Sequence, residues 1–204
     1  MSTLFTISAP SGAGKTSLVK KLLECTNNIK VSVSHTTRKP RLGEIDGVNY
    51  NFVTKEKFVQ MLKNNIFLEH AQVFDNYYGT SQEWLTKQLG LGNDIILEID
   101  WQGAKQVKHL NPATVGIFIL PPSRTILEER LRGRGTDNDK IISQRLQGAI
   151  EEISHYTDSD YLIVNDDFEQ ALQDLQTIVN SQRLCQTEQV SKLNDILTEL
   201  LGNN

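Results

Sequence analysis

The sequence predicts an α/β fold, a mainly parallel sheet flanked by helices, from three observations. Apolar strand-like runs alternate with helix-like segments along the 204-residue chain. The runs are rich in unbroken Ile, Leu and Val, as strands buried on both faces require. The first run, ending at Ile7-Ser8, leads into a glycine-studded turn that opens a helix, Ala9-Pro10-Ser11-Gly12-Ala13-Gly14-Lys15-Thr16.

Taken in order, the elements follow from local pattern. A strand is expected over residues 3–8 and a helix from Lys15 to about Glu24, with a second strand over 30–34. Residues 35–80 break the alternation: they mix charges, aromatics and short strand-like pieces around one helix near 55–64, and predict a small inserted α+β subdomain. A helix from Ser81 to Leu89 then leads to strands over 94–99 and 114–120. Ser123 is a good N-cap for a helix reaching Leu131. A long helix is expected to begin near Asp137, with Ile141, Ile142, Leu146, Ala149, Ile150 and Ile153 as its apolar face. A strand over 161–164 and a helix over 168–184 complete the domain. From Gln189 to Leu201 the residues Val190, Leu193, Ile196, Leu197, Leu200 and Leu201 form one helical stripe, which either packs on its own domain or meets another subunit.

Bulk properties exclude several classes. The net charge of −4 and a pI near 5.6 give no general attraction to nucleic acid or anionic lipid, so any anion site must be local. Cys25 and Cys185 lack metal-ligand spacing, and their sparse use fits a reducing compartment. There is no apolar run of membrane-spanning length and no signal-peptide order at the start, so a cytoplasmic protein is expected.

Residues 9–16 match a phosphate-binding loop with alanine in place of its usual first glycine. Small residues let successive backbone N–H groups wrap an anion, and the helix start turns its dipole toward it. Pro10, Ser11, Gly12, Ala13, Gly14, Lys15, Thr16 and Ser17 are therefore the ATP-binding candidates. Lys15 would reach the terminal phosphates, and the Thr16 hydroxyl would hold Mg²⁺. Asp100, closing an apolar strand, is placed to support the metal through water.

The acceptor is read from Thr36-Thr37-Arg38-Lys39-Pro40-Arg41-Leu42-Gly43-Glu44-Ile45-Asp46-Gly47-Val48-Asn49-Tyr50-Asn51-Phe52-Val53. Two arginine forks and a tyrosine hydroxyl can converge on one dianionic phosphate. The spacing of Thr36, Thr37, Arg38, Arg41, Glu44, Gly47, Tyr50, Phe52 and Val53 resembles the signature of the guanylate kinase family. That resemblance implies a P-loop NTPase fold of the nucleoside monophosphate kinase type, MgATP as donor and GMP as acceptor, with dGMP left open. It implies one domain over 1–204, with a core of 1–34 and 81–204, a GMP-binding subdomain of 35–80 and a lid of 124–150. It further implies that Arg38, Arg41, Tyr50 and Tyr78 bind the GMP phosphate, while Glu69, Ser34, Thr80 and Asp100 read or support the base. Guanine offers N1–H and an amino group as donors and O6 as acceptor, which a carboxylate beside hydroxyls complements.

The stretch Glu129-Arg130-Leu131-Arg132-Gly133-Arg134-Gly135-Thr136-Asp137 is rich in arginine and glycine, as a closing lid would be. By the resemblance Arg130, Arg134 and Arg145 join Lys15 as the catalytic clamp, Arg132 is solvated, and Asn165 lies near the adenine. Three alternatives stand beside this. Asp100-Trp101-Gln102-Gly103 has the Asp-x-x-Gly form of regulatory GTPases, but no Asn-Lys-x-Asp sequence accompanies it. Another nucleoside monophosphate kinase differs only in the base accepted, and a non-catalytic guanylate-kinase-like binding domain would dispense with the phosphate loop. The four histidines and two tryptophans are assigned to packing or surface.

Overall fold

The computed structural model describes residues 2–73, 75–133 and 139–202. Its first half runs β1 (Leu4–Ser8), α1 (Lys15–Cys25), β2 (Ile29–Val31), β3 (His35–Thr36), β4 (Asn51–Phe52), α2 (Lys55–Lys63), β5 (Phe67–Val73), β6 (Asn76–Ser81) and α3 (Gln82–Gly90). Its second half runs β7 (Asp94–Glu98), α4 (Trp101–Leu110), β8 (Val115–Leu120), α5 (Arg124–Arg132), α6 (Asp139–Ser154), β9 (Tyr161–Val164), α7 (Phe168–Arg183), α8 (Gln186–Lys192) and α9 (Asn194–Leu201). Five strands pair in parallel in the order β2-β7-β1-β8-β9, which sets β1 at the centre with Phe5 opposite both Ile96 and Val115.

Strand alternation sends neighbouring side chains to opposite layers. Phe5, Ile7, Ile96, Ile117 and Ile119 pack against Leu18, Val19 and Leu22 of α1 and Leu172, Leu175 and Val179 of α7. On the other face Leu4, Ile95 and Leu97 meet Leu85 of α3 and Val107 of α4. Each such side chain contributes roughly 1.5–3 kcal/mol, and together they hold the end of β1 where the phosphate-loop sequence begins. Arg183 donates to Asp94 at 2.8 Å and ties the end of α7 to the start of β7.

A second sheet, β4-β3-β6-β5, stands apart in the hydrogen-bonding pattern. It is built on the β5–β6 hairpin and on Phe58 of α2, whose ring stacks on Phe67 at 4.6 Å and on Tyr77 at 5.6 Å.

Several expectations need correction. The sequence names no element over residues 101–110, where the structure forms α4; the Asp100 carboxylate accepts from the Gly103 N–H at 3.0 Å and caps it. The strand expected over 30–34 ends at Val31. Strand β9 is an edge, with Leu162 and Val164 exposed and only Ile163 in the core, so it is not covered on both faces. On α6 the buried set is Ile142, Leu146 and Ala149, packed on Leu127 and Leu131 of α5, while Ile141 and Ile150 are exposed. The expected start of that helix near Asp137 lies outside the described residues. The tail is two short helices rather than one stripe, and Ile196, Leu200 and Leu201 are exposed.

Candidate functional site

Helix α1 starts without a side-chain cap, and Gly14 takes its N-cap position at φ 93°. Helices α2, α3, α4, α5 and α7 are capped instead by Thr54, Ser81, Asp100, Ser123 and Asp167. The first amides of α1 thus have no intrahelical acceptor and no side chain to satisfy them, the condition for binding an anion there. Two glycines make this approach feasible. A Cβ on Gly12, at φ 100°, would stand 2.9 Å from Leu127, and one on Gly14 would collide with the Asn165 amide. Buried Asn165 in turn donates to the Ala13 carbonyl at 2.7 Å and braces the loop from β9.

The loop opens on a cleft of about 320 Å³ lined by Pro10, Ser11, Gly12, Gly14, Lys15, Thr16, Ser17, Ser34, Tyr50, Glu69, Tyr78 and Asp100, together with Glu98, Glu152, Ala71 and Val73. Lys15 donates from Nζ to the Ile99 carbonyl at 3.2 Å. Burial pulls its pKa below the ordinary lysine value, opposed by the charges of Glu98, Glu152 and Asp100. The Thr16 hydroxyl donates to Glu98 Oε2 at 3.0 Å. The carboxylate that meets this hydroxyl is therefore Glu98, while Asp100 is engaged by the Gly103 amide and by Gln102 at 3.1 Å.

Glu69 is buried and accepts from the Thr80 hydroxyl at 2.6 Å. Burial pushes its pKa up to about 7, against the lowering effect of that bond. A Cβ on Gly103 would come within 2.6 Å of Glu69 Oε2, so the first turn of α4 needs glycine to let this carboxylate in.

Arg38 and Arg41 line an adjoining cavity that shares Thr16, Ser34, Tyr50 and Glu98 with the cleft. Glu44 grips the Arg38 fork at 2.9 and 2.8 Å and accepts from the Arg41 backbone N–H at 2.6 Å. The Arg38 guanidinium also lies over the Tyr50 ring at 5.2 Å, and Tyr50 meets Tyr78 edge to face at 6.0 Å. Two arginines and two tyrosines thus border a space that opens on the phosphate loop.

Of the lid candidates, Arg130 donates to the Asn165 carbonyl at 3.0 Å, and among the described residues its other terminal nitrogen is buried without a partner. Arg145 is half-buried on α6 and does not line the cleft. Arg132 is bridged to Glu128 on the surface. Arg134 lies outside the described residues.

Sequence reasoning missed Glu98, Glu152 and Gly103 as lining or supporting residues. Glu98 carried a signal, because residues two apart at a strand end share a face with each other and Asp100 had been noticed. Glu152 lies seven residues beyond Arg145, two helical turns along one face. Gly103 carried none, since only the fold brings Glu69 to it.

Residues 1–182 match the family described as Guanylate kinase. A curated guanylate kinase of Saccharophagus degradans is 57% identical over 200 residues, 98% of each chain. One from Pseudomonas fluorescens is 56% identical over 200 residues, 98% of this chain and 97% of its own. The crystal structure of guanylate kinase from Anaplasma phagocytophilum superposes with a TM-score of 0.78 at 37% identity, covering 97% of this chain and 94% of that one.

Proposed function

The chain belongs to the guanylate kinase family, and on that premise we infer how its own residues carry the reaction. It is a phosphotransferase that converts GMP to GDP with ATP.

We assign the donor phosphates to the uncapped amides of α1 and to Pro10–Ser17, with Lys15 on the transferring group and Asn165 beside the adenine. The acceptor phosphate goes to Arg38, Arg41, Tyr50 and Tyr78. Arg38 is held ready for it by Glu44 on one side and the Tyr50 ring on the other. Guanine is read by Glu69, which accepts from the base donors, with Ser34, Thr80 and Asp100 around it. Residues 35–80 form the acceptor-binding unit, and 124–150 the lid that brings Arg130, Arg134 and Arg145 onto the moving group. Transfer needs little covalent work from the protein beyond alignment, charge neutralisation and exclusion of water.

A divalent metal fits the donor side. Thr16 and Glu98 present hard oxygen ligands together at the loop, the donor type that suits Mg²⁺. Either side chain would hold it directly or through water, with Asp100 as a further outer contact. When bound, the ion supplies positive charge to the donor phosphates.

The single observation that supports this reading best is that the phosphate loop and the Arg38–Arg41 cavity share the walls Thr16, Ser34, Tyr50 and Glu98. The proposed donor and acceptor phosphate sites are therefore neighbours across those shared walls. Two free cysteines support a reducing, cytoplasmic setting. Exposed Ile196, Leu200 and Leu201 support association of copies through the C-terminal helix.

The test is ADP release from MgATP with GMP, dGMP, AMP, UMP and dTMP offered separately. Turnover with GMP and not with AMP, UMP or dTMP is expected, and selective turnover of another base would overturn the guanine site. Lys15→Ala should abolish turnover and leave the far-ultraviolet circular dichroism unchanged. Near-normal turnover in that variant would remove Lys15 from the transfer step.

A further inference from the structure

Resting on the phosphotransferase reading, we propose that Glu152 is a positioning residue for the Lys15 ammonium, held at the phosphate loop by the stacking of His155 on Trp101.

Glu152 lies in the last turn of α6 and lines the cleft with Lys15 and Asp100. One residue past the helix, His155 lies flat on Trp101, with ring centroids 3.5 Å apart and planes 6° apart. Trp101 opens α4, directly after its cap Asp100. The two rings therefore join the C-terminal end of α6 to the first turn of α4, next to the cleft residue Asp100, and hold the turn that carries Glu152.

Of the three carboxylates around Lys15, two are already engaged. Glu98 accepts the Thr16 hydroxyl, and Asp100 caps α4. Among the described residues the Glu152 carboxylate makes no hydrogen bond. Lys15 spends one of its three donors on the Ile99 carbonyl, leaving the others to turn toward the cleft. An ammonium on a flexible stem needs a fixed counter-charge to stay aimed. Glu152 and Lys15 thus carry opposite charges on the walls of the same cleft.

The experiment measures kcat, both KM values and Tm for the full-length enzyme and for Glu152→Gln, His155→Ala, His155→Phe and the double variant Glu152→Gln/His155→Ala. Glutamine keeps the shape and removes the charge. Glu152→Gln should lower kcat about tenfold, leave KM for GMP within about twofold and not lower Tm, since an aiming role acts in the transition state. His155→Ala should fall toward the same kcat, and His155→Phe, which keeps a flat ring on the indole, should recover most of it. The double variant should be no slower than Glu152→Gln, because both act through one contact.

A kcat for Glu152→Gln within about twofold of wild type, with wild-type GMP turnover intact, overturns the positioning role and leaves the function standing. Losses that multiply in the double variant separate His155 from Glu152 and overturn the clamp. A wild-type enzyme that releases no ADP with GMP overturns the function and this inference together.

Discussion

Glu69 shows how one side chain sets both chemistry and cost. It is 2% exposed, with a single hydroxyl donor in Thr80, and its pKa stands near 7 instead of 4.5. A carboxyl whose folded pKa is raised stabilises the protein below the unfolded value; that stability is lost as pH rises from 4.5 through 7 and is level above. The cost of the charge above pH 7 is about 3 kcal/mol. Glu69→Gln should therefore raise Tm of the empty protein at pH 8, and an unchanged or lower Tm there would show that the buried charge carries no such cost. If Glu69 reads guanine as proposed, only its ionised form accepts both guanine donors, so KM for GMP should fall between pH 6 and pH 8. The Gln variant should bind GMP weakly with no such slope, and a slope that persists would assign the titration elsewhere. The position of Glu69 beside an apolar run was visible in the sequence. Its burial was not, because that depends on Gly103 from an element more than thirty residues away.

At the scale of elements, the contrast between helix starts carries function. Helix α4 is closed by its aspartate cap, whereas α1 leaves its first amides open at the phosphate loop. The loop was legible because its glycines, lysine and threonine are contiguous. Helix α4 was not, since Gln, Lys and His fill most of its turns and only Gly103 and Val107 are buried. Its glycine nevertheless packs against Glu69, the carboxylate proposed to read the base. Gly103→Ala would place a methyl group 2.6 Å from Glu69 Oε2 and push the carboxylate out of line. We expect KM for GMP to rise by on the order of tenfold or more with KM for MgATP little changed. Steady-state kinetics with each substrate varied in turn checks this, and an unaltered GMP dependence would show that the carboxylate has room to move.

For the whole molecule, the parallel sheet and the smaller sheet meet at a cleft whose walls come from both. The C-terminal helices stand outside this plan: α8 and α9 bury no residue, and the family match ends at residue 182. A chain ending at Cys185 should keep Tm within about 3 °C of full length and retain GMP turnover. If copies associate through the tail, sedimentation should show the full chain heavier than the truncated one by more than the deleted mass; equal assembly states would dismiss that contact. By itself the sequence determined the alternation of strands and helices, the phosphate loop and the spaced signature from Thr36 to Val53, because each is written in neighbouring residues with their own periodicity or turn chemistry. Only the tertiary structure decided that Glu98 meets Thr16, that Glu44 holds Arg38 and that Gly103 admits Glu69. It also decided that the tail lies open. Burial and the meeting of distant side chains are properties of packing, and packing is set by the whole chain at once.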